Sequence, residues 1–249
     1  MSKEFLSMEA TAVKDFPRAL EHGSIKEVFK DVFFVTGAME TVLMDMDWKF
    51  SRNMTVIREG ERLIILNSVR LNEDALAELD KLGKVTDVIR LGALHGRDDP
   101  FYVDRYNANY WAMPGMDNEA NLTVKELTPE AQLPISDASV FQFSTTQIPE
   151  TILFLEREGG IAIGCDALQN WLAPDEYFCE SSKARMQEMG FFSPANVGPV
   201  WMQVAAPKAD DFVRLKEENF SHAFCGHGAP LLNNAKEAYL ETFSRLFDV

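Results

Sequence analysis

Three apolar runs in this chain each stop at a polar cluster that carries a histidine or an aspartate, and this recurrence constrains the fold more than any other feature. "DVIRLGAL" at 87–94 gives way to His95, Arg97, Asp98 and Asp99, "GGIAIGC" at 159–165 to Asp166, and "SHAFC" at 221–225 to Gly226, His227 and Gly228. In α/β sheets the loops at strand ends converge while the sheet holds them rigid, so ligand sites gather there. Glycines on both sides of His227 let the backbone approach closely and leave the ring unobstructed.

The elements between these runs point to a layered α/β architecture. Strands are expected at 31–36 and 41–46, followed by a hairpin over 54–68 whose turn is "REGE". "NEDALAELDKLG" at 72–83 has a capping residue, Ala and Leu at helical spacing and a terminal glycine, which predicts a helix. A second helix is expected at "DDPFYVDRY", where Asp98 or Asp99 caps a turn that Pro100 begins. A short strand at 109–115 precedes a long irregular loop over 116–134, and "SVFQFST", "TILFLE" and "GGIAIGC" form three successive strands. Helical patterns return near 180–189, 208–218 and 231–247. Strands alternating with helices place the helices on the outer faces of sheets. The whole of 1–249 reads as one domain, with 1–29 as an N-terminal extension packed on it.

Composition removes several classes of function. With 24 Lys and Arg against 39 Asp and Glu, the net charge is −15 and no basic cluster is available to meet a nucleic-acid backbone. The N-terminal stretch lacks a signal-like apolar run and nothing approaches membrane-spanning length, so no membrane partner is expected. Cys165, Cys179 and Cys225 are odd in number and lack zinc-finger spacing, which suits reduced thiols and a cytoplasmic location. No phosphate-binding loop, dinucleotide fingerprint, nucleophile elbow or zincin motif occurs.

His95, Asp99, Asp166 and His227 together supply two imidazoles and two carboxylates. That set suits zinc, manganese or iron better than calcium, which prefers oxygen ligands throughout. A metal so held activates water against an ester, amide or phosphoester of a small-molecule substrate. Each residue also has an ordinary reading: His95 as a loop histidine, Asp98, Asp99 and Asp166 as helix caps, His227 as a turn residue. Trp171 and Tyr177 are candidate walls of a pocket.

In order and spacing the chain resembles a divergent member of the metallo-β-lactamase superfamily over residues 30 to 247. The resemblance implies a four-layer αββα sandwich with a metal site along one edge. Laid on the family motif H-x-H-x-D-H, His95 takes the first histidine place, Arg97 the second, Asp99 the aspartate and Pro100 the last histidine. Gln147 stands where a further histidine falls, Asp166 in "GCDAL" matches the bridging aspartate, and His227 in "FCGHGAPL" matches the late histidine. Asn67 replaces the usual first aspartate. The resemblance therefore implies at most one metal ion, on Asp99, Asp166 and His227 with His95 nearby, His95 and Asp99 serving catalysis. Arg97, Asp98, Gln147 and Trp171 would contact substrate. The activity implied is hydrolysis of an ester, thioester or phosphoester at a degenerate site. The alternative is a metal-free pseudoenzyme that keeps the scaffold as a binding module, with Arg97 paired to Asp99 or Asp166.

Overall fold

The computed structural model describes residues 15–43, 45–118 and 120–249. It begins with β1 (Lys26–Phe29), β2 (Val32–Leu43) and β3 (Met46–Glu59). β2 and β3 pair without a break from Val32↔Ile57 to Leu43↔Met46, so the strand expected at 31–36 runs on to Leu43, and the strand expected at 41–46 instead straddles the hairpin turn, with Met46 opening β3. The polar residues of "DMDWKFSRN" hide this long hairpin in the sequence, because they interrupt the apolar alternation while keeping the register.

The chain continues through β4 (Arg62–Leu66), α1 (Glu73–Leu82), β5 (Lys84–Ile89), α2 (Asp99–Tyr106), β6 (Asn109–Ala112) and β7 (Val124–Glu126), completing a seven-stranded sheet in the order β1 to β7. Asn72 caps α1 by accepting from the Ala75 N–H, and Gly83 ends it, as the sequence predicts. Next come β8 (Ala138–Gln142), β9 (Thr151–Leu155) and β10 (Ile161–Ile163), then the ribbon strands β11 (Gln169–Trp171) and β12 (Ser193–Asn196) around α3 (Glu180–Glu188). The helices α4 (Pro199–Ala205) and α5 (Ala209–Leu215), strand β13 (His222–Phe224) and helix α6 (Ala235–Phe247) close the chain. The second sheet has the order β13-β10-β9-β8.

Alternation along the central strands assembles the layers. On β4, Leu63 and Ile65 face the helix side with Leu76, Leu79, Phe101 and Tyr102, while Ile64 and Leu66 face the other sheet. Leu153, Leu155, Ile161, Ile163 and Phe224 meet them there, and Ile152, Phe154, Ala162 and Ala223 turn outward onto Trp201, Phe212 and Tyr239 of α4, α5 and α6. The result is an αββα sandwich. Each fully buried aliphatic chain contributes about 1.5–3 kcal/mol, and a one-residue slip of a strand would turn its inner face outward. No helix among the described residues is long and apolar enough to cross a membrane. Of the expected N-terminal extension, residues 1–14 lie outside the described residues, and β1 joins the first sheet.

Candidate functional site

The three polar clusters meet because the strands that carry them end at one edge of the sandwich. β10 and β13 run parallel from Ile161↔His222 to Ile163↔Phe224, which brings the segments after them side by side. Gly226 N donates to Gly164 O at 3.1 Å, and Thr151 N to Leu91 O at 2.9 Å, which ties the second sheet to the segment after β5. Asn67 adds a stitch between sheets, its Nδ2 donating to Gly164 O at 2.9 Å. Gly226 sits at a close approach: a Cβ there would lie 3.0 Å from Cys165 O and 3.2 Å from His95 Cε1, tight enough to press on the site.

His95, Asp166 and His227 form a cluster in which the two carboxylate oxygens of Asp166 each face one imidazole. The two Nε2 atoms are 3.1 Å apart, His95 Nε2 lies 3.3 Å from Asp166 Oδ2, and His227 Nε2 lies 3.2 Å from Asp166 Oδ1. His227 Nδ1 is 3.1 Å from the Ser51 carbonyl, which can only accept, so Nδ1 carries the proton and the Nε2 lone pair faces the cluster. Trp171 lies against this ring at 4.7 Å between centroids. Burial pushes the His95 imidazole down to about 3, and His227, Arg52 and Arg90 act in the same direction against Asp166. Burial works against a charge on Asp166 too, but the two imidazoles overcome it and hold the carboxyl below the ordinary carboxylate range.

Two further groups hold this geometry from behind. Glu150, fully buried, accepts from Asp166 N and Ala167 N at 2.7 Å each, and burial beside Asp166 raises its carboxyl well above the usual range. The tripeptide Ser51-Arg52-Asn53 of β3 is buried although wholly polar. Ser51 Oγ accepts from Trp171 Nε1 at 3.0 Å. Asn53 Nδ2 donates to Cys225 O at 3.0 Å and Gly228 O at 2.6 Å, and Asn53 N to Gly226 O at 2.8 Å. Arg52 forms a buried ion pair with Asp98. Sequence reasoning missed this platform; three successive polar residues inside a β-rich segment were its one local signal.

The structure brings together three of the four expected ligands and separates the fourth. Asp99 accepts from Ser68 Oγ at 2.5 Å, and burial raises its carboxyl, so it faces Ser68 rather than the histidines. Asp98 sits at the N-cap of α2 but makes no side-chain cap; its carboxylate receives Arg52, Arg97 Nη1 at 3.0 Å and Arg70 N at 2.7 Å. Arg97 thus pairs with Asp98, not with Asp99 or Asp166 as the metal-free reading expected. Gln147 is exposed, its N–H given to Ala205 O at 2.8 Å, and it does not line the cavity at the site. Trp171 and Arg97 do line it; Tyr177 does not. That cavity measures about 350 Å³, with His95, Asp166, His227, Arg52 and Arg97 among its lining residues.

The donor chemistry fits a metal ion. Four ligands at 2.0–2.1 Å around zinc stand roughly 3.3–3.4 Å from one another, close to the 3.1 Å between the two Nε2 atoms and the 3.3 and 3.2 Å from each of them to one oxygen of Asp166. A metal-bound imidazole usually gives its other N–H to a carbonyl or carboxylate, as His227 does to Ser51. Cys165 Sγ lies 3.6 Å from Asp166 Oδ2, and ligand atoms of His95, Cys165 and Asp166 all fall within 4.8 Å of one another. Burial pushes this thiol well up, with Asp166 and Glu150 adding to the effect.

No model of a known family and no curated protein matches the sequence. Solved structures do. A metallo-β-lactamase from Erythrobacter litoralis aligns over 93% of this chain and 96% of its own, at 15% identity and a TM-score of 0.57. One from Hirschia baltica aligns over 91% and 98%, at 12% identity and a TM-score of 0.54. FIM-1 from Pseudomonas aeruginosa, in its mono-zinc form, aligns over 92% and 97%, at 10% identity and a TM-score of 0.57. This chain therefore has the metallo-β-lactamase fold, the αββα sandwich that the sequence resemblance implied.

Proposed function

We propose that the protein is a hydrolase working with one divalent transition metal ion, zinc foremost, held by His95, Asp166 and His227. The observation that carries this reading is the donor cluster, two Nε2 atoms 3.1 Å apart and each 3.2–3.3 Å from one oxygen of Asp166, with the His227 Nδ1 proton fixed by Ser51. A bound ion of this kind supplies Lewis acidity, polarising a carbonyl or phosphoryl oxygen and making water a better nucleophile. The chain's own residues do the rest. Asn53 and Glu150 fix the backbone on which His227 and Asp166 ride. Trp171 lies against His227 and, with the apolar wall of the cavity, keeps bulk water from the cluster. Arg97 places a fixed positive charge on the cavity wall, which favours an anionic substrate. With Arg97, Pro100 and Gln147 at three places the resemblance assigns to histidine, one ion rather than two is expected.

One observation favours the second reading, a metal-free binding module on the same scaffold. His95 Nε2 lies within hydrogen-bond reach of both Asp166 Oδ2 and His227 Nε2, and the buried Arg52–Asp98 pair stands beside them, so part of the cluster can be joined without an ion. The test is turnover of chromogenic carboxyl ester, thioester and phosphoester substrates before and after chelation. Activity on at least one class, lost on chelation, restored by zinc and missing in Asp166→Asn, is the expected result. Activity that survives chelation, or none on any class with zinc present, would overturn the hydrolase reading.

A further inference from the structure

The cavity at the cluster is two-sided in chemistry, and the proposed hydrolase reading leaves that unexplained. Its walls are apolar and come from three elements: Leu43 and Trp48 of the β2–β3 hairpin, Met186 and Phe191 from α3 and the segment after it, Val200 and Val204 of α4. At the mouth, Leu43, Leu94 and Val204 remain 45%, 50% and 41% exposed, apolar surface that a small polar substrate would leave wet. The polar groups gather at one end, and they are unequal in charge. Arg52 and Arg97 both lean on the single carboxylate of Asp98. Both line the cavity, but Arg52 is buried, with a side chain 5% exposed, and also donates to Ser68 O, whereas the Arg97 side chain is 26% exposed and among the described residues Asp98 is its one acceptor. Most of the Arg97 fork, five N–H donors suited to a planar carboxylate, is thus available to a ligand.

We infer that the site takes an amphipathic monoanion: an aliphatic or aromatic body seated against the hairpin, α3 and α4, with a carboxylate on Arg97 beside the hydrolysable group. The carboxylate is favoured over a dianionic phosphate because Asp166 shares the cavity, Arg97 is a single cation, and the chain carries a net charge of −15. A volume of about 350 Å³ is at the small end for ligand pockets and fits a medium-length chain or a ring system. The inference rests on the hydrolase reading for the word substrate, but the binding itself needs no metal.

The test is calorimetric titration of the full chain, chelator-treated and zinc-treated, with hexanoate, octanoate and decanoate, and with octanol and octylammonium as head-group controls. Affinity is expected to rise about fourfold per added methylene until the cavity is full. Octanoate is expected to bind about tenfold or more tighter than octanol, and octylammonium weakest. Arg97→Gln erases the carboxylate preference, Arg97→Lys keeps part of it, and Val200→Phe flattens the dependence on chain length. The wild-type series stands even where a variant folds poorly. Equal affinity for all head groups, no dependence on chain length, or a carboxylate preference surviving in Arg97→Gln would overturn the inference. Octanoate binding by a protein that takes up no zinc would sink the metal reading alone; zinc uptake without octanoate binding would sink this one alone.

Discussion

Asn53→Ala removes two hydrogen bonds that hold the His227 turn to β3, and the consequence can be worked from the structure. Its Nδ2 is the donor to Cys225 O at 3.0 Å and to Gly228 O at 2.6 Å, both inside the protein. A buried carbonyl left without its donor costs about 1–3 kcal/mol, so losing both amounts to about 4 kcal/mol at mid-range. For a chain of this size that lowers Tm by roughly 8–16 °C. The backbone bond from Asn53 N to Gly226 O survives, so the turn loosens rather than detaches. Zinc affinity is therefore expected to fall about 10–100-fold, as when groups supporting a ligand are lost. Asn53→Asp has the same shape but points an acceptor at two acceptors, and should be worse than Ala on both counts. Calorimetric scanning and zinc titration read the two effects. An Asn53→Ala protein with unchanged Tm and zinc affinity would refute the idea that β3 is the platform of the site.

Other perturbations separate neighbouring parts of the account. Gly228 has φ +83° and a Cβ there would fall 2.2 Å from Asn170 C, whereas Gly60 has φ +63° with nothing within 4 Å. Gly60→Ala should lose only the left-handed backbone penalty of about 1–2 kcal/mol in urea unfolding, and Gly228→Ala several times more. Arg52→Leu leaves the buried Asp98 with only Arg97 and the Arg70 N–H and should cost up to about 3–5 kcal/mol, while the double variant with Asp98→Asn recovers part of it; simple additivity would argue against the pair. Asp211 accepts from the N–H and hydroxyl groups of Ser144 and Thr145 and from Arg214, and despite its burial these bonds lower its carboxyl below the usual range. Its contribution is thus present above the unfolded pKa of about 3.9 and fades as pH falls through the lower folded value. The Tm gap between wild type and Asp211→Asn should be widest above about pH 5 and narrow in acid; a gap independent of pH would contradict this.

Legibility in the sequence followed the range of the interactions involved. His95, Asp166 and His227 were readable because each is a donor residue just past an apolar run, and parallel register brings such ends together. Asp99 was not, because a carboxylate's direction depends on Ser68, 31 positions away, and the motif gives only its place in the chain. Arg52 and Asn53 make sense only with Asp98, 46 residues on, and Gly228, 175 residues on. Helix α4 was overlooked since its seven residues lie between Gly198 and Pro207, too short for a periodic signal. The layered fold was legible because alternation and helix caps are local.

The central claim is that His95, Asp166 and His227 form a mononuclear metal centre. Elemental analysis of the wild-type protein, equilibrated with zinc and passed through a desalting column, tests it directly beside Asp166→Ala and His227→Ala. One equivalent of zinc in the wild type and almost none in either variant is the predicted result. A wild type that retains no more metal than the two variants, while all three remain folded by circular dichroism, would contradict it.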